Sequence, residues 1–257
     1  MTEVVSELMR EHIYRMAASG RRVDGRAPDE PRTLEVRKGT IGTAEGSARV
    51  KLGKTDVLVG VKMGVGTPYP DTPNSGVLST TAELIPMASP TFEAGPPGPA
   101  AVELARVVDR GIRETKTVDV EALCIVPKEK VWMMFIDIHI LDYDGNLFDA
   151  SSYGAIAALS STVVPAKAQG LGDDYPLRIE HWPISVTSAK IRDVIVVDPN
   201  LDEERIADAR LTVATDENGD IRAMQKGLRG SFEFDEVRKV IATSQEVGRK
   251  LRAIIQA

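Results

Sequence analysis

Three arginines stand at helical spacing in the segment from Ala101 to Lys116: Arg106, Arg110 and Arg113, at i, i+4 and i+7. That interval puts three guanidinium groups on one side of a helix. A guanidinium fork binds phosphate oxygens bidentately, so the row could follow the backbone of a polyanion. The same helix also offers a plainer arrangement, a solvated surface laced by Glu103–Arg106 or Asp109–Arg113 ion pairs. A second group is acidic. Asp198, Asp202, Glu203 and Glu204 crowd one short segment. Paired carboxylates there could act as acid and base or hold Mg²⁺. Pro199 and Asn200 equally suit an ordinary solvated loop. Arg21, Arg22 and Arg26 form a second basic cluster, suited to a polyanion, a neighbouring chain or internal salt bridges.

Other chemistry-bearing residues lead nowhere. Asp137 and His139 alternate onto one face of a strand but lack a third ligand at metal spacing, and His12, His139 and His181 are scattered. There is no GxSxG or Walker A segment. Gly227-Leu228-Arg229-Gly230 has the form of a KH-type GxxG loop, but it follows a hairpin and precedes a helix, so it reads as a turn. No metal and no cofactor is expected.

The chain has 257 residues, a net charge of −6, 42% hydrophobic and 27% charged residues. Such a length can bury a sizeable core in one large or two modest domains. An acidic protein that touches nucleic acid does so through a local patch. No apolar run reaches the roughly 18 residues of a membrane span, and the polar N-terminus lacks the apolar stretch of a secretion signal. The single cysteine, Cys124, lies in an apolar run where a buried, inert thiol is expected, and it suits a reducing cytoplasm.

Positioning falls to alternating strands and amphipathic helices. Val4, Val5, Leu8, His12, Ile13 and Met16 recur at helical intervals over residues 1–18, and Gly20 closes that helix. Strands are expected at 33–38, 47–52, 56–65 and 78–86, with Pro/Gly-rich loops after the last two. The helix of the arginine row places Val102, Ala105, Val108 and Ile112 on its apolar side. Residues 131–141 form a central strand, and a turn at Tyr143–Asn146 leads to a helix of small residues over 150–163, stopped by Pro165. An irregular connection covers 166–184. A strand at 190–198, the acidic loop, and two strands flanking Asn218-Gly219 follow. A final helix spans 235–255, with Val237, Val240, Ile241, Val247, Leu251 and Ile254 lining one face. Hairpins and helices in blocks, without regular βα alternation, argue an α+β fold in two subdomains.

Gly20-Arg21-Arg22-Val23-Asp24-Gly25-Arg26 resembles the entry signature Gly-Arg-x-x-Asp-Gly-Arg of RNase PH-like proteins. Gly46-Ser47-Ala48 and Leu52-Gly53-Lys54-Thr55 resemble that family's first strand pair, and the segment from Gly230 resembles its terminal helix. The similarity covers nearly the whole chain. The DRGIRE helix and long N-terminal helix are most similar to the non-catalytic ring subunits of archaeal exosomes. The resemblance implies an N-terminal helix (1–19), a first RNase PH-like subdomain (20–165), a connection (166–187) and a C-terminal subdomain (188–257). It also implies an alternating hexameric ring of three heterodimers with a catalytic RNase PH-like sibling, a trimer of RNA-binding cap proteins on one face, and single-stranded RNA shortened 3′ to 5′ by phosphorolysis.

Catalytic relatives hold phosphate with Gly-Ser-Arg between the central strand and the small-residue helix. Counting back from Pro165, that place is taken here by Asn146-Leu147-Phe148, and neither Leu nor Phe donates to phosphate. The family's acidic pair, six residues apart, falls on Asp198 and, approximately, Glu204, which are expected to be vestigial. The resemblance therefore points to a non-catalytic subunit whose Arg106, Arg110 and Arg113 border the sibling's active site and help bind the RNA 3′ end. The competing readings are an intrinsically active phosphorolytic exoribonuclease, disfavoured by Leu147 and Phe148, and an assembly protein unconnected with RNA, disfavoured by the arginine row.

Overall fold

The computed structural model describes residues 6–257; Val4 and Val5, expected in the first helix, lie outside them. The central strand forms where alternation is strongest. In β6 (Lys130–Asp142), Met134, Ile136, Ile138 and Ile140 turn inward, while Phe135, Asp137 and His139 face outward. It pairs antiparallel with β3 (Thr55–Gly66) and parallel with β4 (Val77–Leu84). With β1 (Leu34–Lys38), β2 (Gly46–Leu52) and the short β5 (Cys124–Val126), they make a six-stranded sheet in the order β1-β2-β3-β6-β4, β5 pairing with β6. Cys124 is half-buried, not buried as expected.

A second, antiparallel sheet has the order β10-β9-β11-β12: β9 (Ile184–Ile191), β10 (Val194–Val197), β11 (Ala209–Thr215) and β12 (Ile221–Gly227). The single strand expected at 190–198 is thus a hairpin, and most of β9 comes from residues placed before that strand or in the connection. The reversal rests on Arg192 at φ 56°, whose N–H donates to Asp208 at 2.6 Å. No glycine marks the turn, so the pattern ran through it. The connection carries one strand of a small two-stranded ladder, β8 (Tyr175–Pro176), which pairs with β7 (Val163–Val164) just before it.

Between the sheets lies α3 (Leu147–Ser160), packed on β2 and β3 on one side and on β9 on the other. Every residue from Phe148 to Leu159 is buried. Its small side chains permit this double contact; a Cβ on Gly154 would stand 2.7 Å from Val59 Cγ2. The helix begins and ends about three residues earlier than expected, and Pro165 follows in the chain after β7. One apolar core therefore runs from Val50 and Ile138 through Ile156 to Val186, Leu251 and Ile255. α5 (Phe234–Gln256) covers β9 and β11 with Val240, Val247, Leu251 and Ile255, leaving Ile254 half-exposed, contrary to expectation.

α1 (Glu7–Ala18) docks on β10 through Ile13 and Ala17, beside Ile191, Val196 and Ile206; Leu8 is exposed. α2 (Pro99–Thr115) packs against β4, α3 and β12 with Leu104, Ala105, Val108 and Ile112 inward. Val102 is exposed rather than on that apolar side: four residues before Arg106, it shares the arginines' side. The acidic loop is in part a helix, α4 (Leu201–Ile206), opened by a capping box between Asn200 and Glu203.

Candidate functional site

The turn from β6 into α3 is held by Thr55, whose hydroxyl donates to the Gly145 carbonyl at 2.8 Å and accepts from Asp144 N–H at 3.1 Å. Gly145 (φ 84°) passes so close to the start of α4 that a Cβ would stand 2.5 Å from the Asn200 carbonyl carbon. Asn146, also left-handed at φ 52°, caps α3. Its side-chain amide donates to Asp198 Oδ1 (2.7 Å) and Asp149 Oδ2 (2.8 Å), and its backbone N–H donates to Glu204 Oε2 at 2.9 Å. A helix N-terminus is a ready anion site. Here the anions are the protein's own carboxylates. Phe148 occupies the next turn, buried, with the Arg210 guanidinium carbon 4.0 Å from its ring centre.

Asp198 is only 1% exposed, so the solvated reading of the acidic segment fails at its first residue. Its Oδ2 accepts from the Arg32 backbone N–H (2.8 Å) and Nε (2.9 Å), and its Oδ1 accepts from Arg32 Nη2 (2.7 Å). Arg26 adds a longer contact at 3.2 Å. Burial alone would push this carboxyl up; the hydrogen bonds and charge of Arg32 outweigh it and hold the carboxyl below the usual aspartate range. Asp149, fully enclosed and close to Asp198, is pushed up to about 7 by burial despite hydrogen bonds from Asn146 and Thr187. Glu203 pairs with Arg22 inside the protein, Arg22 Nη1 also donating to the Val197 carbonyl at 2.7 Å. Two of the three arginines in the second basic cluster, Arg22 and Arg26, are thus internal ties, and Arg21 is exposed.

α2 carries Arg106, Arg110 and Arg113, all exposed along one side. The Glu103–Arg106 pair of the plainer arrangement does not form: Glu103 reaches Arg210 at 3.0 Å, and among the described residues the Arg106 side chain makes no hydrogen bond or ion pair. Arg110 Nη1 donates to Gln225 Oε1 of β12 at 3.0 Å. Arg113 does make the expected pair with Asp109 (2.6 Å) and also donates to the Leu78 carbonyl. The row therefore presents two lightly engaged guanidinium groups and one tethered one. Asp137 and His139 lie on the outward side of β6, where Thr81 donates to Asp137 at 2.8 Å and the Glu83 carboxylate lies 3.3 Å from His139.

Residues 30–165 match domain 1 of the 3′ exoribonuclease (RNase PH) family, and residues 181–247 match its domain 2. The chain belongs to the RNase PH family. Curated relatives extend the match over almost its full length. An "Exosome complex component Rrp42" from Thermoplasma acidophilum is 52% identical over 250 residues, covering 97% of this chain and 96% of the relative. Another, from Methanocella arvoryzae, is 51% identical with the same coverage. Among solved structures, a chain of the Archaeoglobus fulgidus exosome with RNA bound to the active site superposes with a TM-score of 0.94 at 48% identity, covering 96% of this chain and 97% of that one. A rice Rrp46 structure shares the RNase PH fold at a TM-score of 0.72 and 17% identity.

In this RNase PH chain the residues that motif reading passed over are Arg32 and Arg210. Arg32 follows Pro31 in irregular chain, where no periodicity marks it. Arg210 had a signal: it is the charged residue in a strand, ARLTVAT, whose every position is buried.

Proposed function

We propose that this chain is a non-catalytic RNase PH-type subunit of an archaeal exosome. In this reading it alternates with a catalytic RNase PH-like sibling in a hexameric ring of three heterodimers, capped by a trimer of RNA-binding proteins and working in the cytoplasm. Its part in phosphorolysis is to grip the RNA 3′ end with Arg106, Arg110 and Arg113 beside the sibling's active site. The observation that carries the reading is the start of α3. Glu204 accepts the amide hydrogen of Asn146, and Leu147 and Phe148, whose side chains donate nothing to phosphate, follow it. A carboxylate already seated at a helix N-terminus repels a second anion. Asp198 and Glu204 perform no chemistry in this account; they neutralise Arg32 and cap α3. Identity near 50% to exosome components over almost the whole chain supports the complex to which it is assigned.

The proposal is tested by mixing the purified chain with an RNase PH-type sibling from the same source and measuring native mass. A species of three heterodimers is expected. A sibling that assembles and reaches full activity without this chain would overturn the assignment.

A further inference from the structure

Arg210 joins four elements. It sits on β11, 9% exposed, and its Nη2 donates to Glu103 Oε1 on α2 at 3.0 Å. Its Nη1 lies 3.8 Å from Glu204 Oε1 on α4, and its guanidinium lies over the Phe148 ring on α3. Gly227, its partner across the β11–β12 ladder, leaves the space in which it lies; a Cβ there would stand 2.6 Å from Arg210 Nη2. Buried this deeply, Arg210 is no surface ligand for RNA. Its ion pairs instead connect the N-terminal half of α2, which bears Val102 and Arg106, to the residues filling the start of α3.

We propose that Arg210 is a positioning residue for RNA binding: through Glu103 it fixes the rotation of α2, so that Arg106 and Arg110 face the RNA backbone together. The inference rests on the RNA-gripping role of the arginine row proposed above. The C-terminal half of the helix is tied to β4 by hydrogen bonds from Arg113 to the Leu78 carbonyl and from Thr80 to Asp109, whereas its N-terminal half, bearing Arg106, has its directional tie at Glu103. An ion pair between a largely buried guanidinium and a specific carboxylate is directional. The residues that close the phosphate site therefore also aim the arginines.

The sign of one substitution separates this role from simple electrostatics. Glu103 is an acid on the helix that meets RNA, so neutralising it should strengthen polyanion binding if charge alone matters. Positioning requires the reverse. The test measures the affinity of a labelled single-stranded oligoadenylate for the complex of this chain with its sibling. Glu103→Gln, Arg210→Met and Gly227→Ala are each expected to weaken binding about three- to tenfold, the scale of coupling between contacting residues. The Glu103→Gln, Arg210→Met double variant is expected to be no weaker than the weaker single one. Glu103→Gln is near-isosteric at a half-exposed site, and Gly227→Ala moves the guanidinium without altering any charge, so neither depends on the stability of Arg210→Met. Unchanged or tighter binding in Glu103→Gln and Gly227→Ala, alongside a large loss in Arg110→Glu, would overturn the positioning role and leave the arginine row standing. No loss in Arg110→Glu would remove both.

Discussion

Arg110→Glu in the assembled complex is expected to slow RNA shortening by more than about a hundredfold, although Arg110 takes part in no bond making or breaking. A charge-assisted contact to phosphate contributes about 1.5–3 kcal/mol, or roughly ten- to a hundredfold, and reversing the charge adds repulsion to the loss. Arg110 is the middle member of the row and donates to Gln225, a neutral partner it can exchange for phosphate at little cost. Arg106 and Arg113 flank it; their Glu variants should follow in the same direction with smaller losses. For Arg113, part of the effect will be the broken pair with Asp109. Contacts to the backbone are blind to base identity, so the loss should be uniform across RNA sequences, and the slope of log affinity against log salt should flatten by about one unit. Native mass must show an intact complex. An intact complex with wild-type rate and affinity would return the three arginines to a solvated helix surface.

Arg32→Met is expected to destabilise the full chain by about 3–5 kcal/mol, because it strands the Asp198 carboxylate in a buried site. For a chain of this size that corresponds to a fall of roughly 5–15 °C in melting midpoint. Asp198→Ala should cost a similar amount by stranding Arg32. The pair also sets an acid limit. The Asp198 carboxyl is held below its unfolded value, so the folded state binds its proton less tightly than the unfolded one. Its stabilising effect is complete above the unfolded pKa near 3.8 and is lost as pH falls below it through the folded value. Wild type should therefore lose stability on acidification below about pH 4 more steeply than Arg32→Met. Melting midpoints for Arg32→Met and wild type within a degree of each other would show that the pair contributes no net stability.

Much of this architecture was legible in the residues because two periodicities dominate it. The alternation of residues 131–141 and the apolar spacing of residues 235–255 survive almost unchanged as β6 and α5. The arginine row was legible for the same reason, since i, i+4, i+7 fixes a side of a helix before any packing is known. Val102 shows the limit of such reading. Its apolar character assigned it to the core, whereas its angle places it with the arginines. The β9–β10 reversal was hidden because Arg192 adopts a left-handed conformation that usually falls to Gly or Asn, stabilised here by a contact with Asp208 sixteen residues away. The capping box of Asn200 and Glu203 went unread, because the acids around it suited a solvated loop. Only the fold brings Arg22 and Arg32, some 170 residues upstream, to neutralise Glu203 and Asp198. For the same reason Leu147 and Phe148 stood out as side chains that donate nothing to phosphate, but not that Glu204 and Arg210 would lie against the start of α3.

The central claim is that this chain by itself does no chemistry, and the most direct test is phosphate-dependent shortening of a labelled single-stranded RNA by the purified chain without its sibling. The account predicts no shortening above a protein-free blank at any phosphate concentration, with activity appearing when the sibling is added. Robust phosphate-dependent release of nucleoside diphosphates from the chain alone would contradict it.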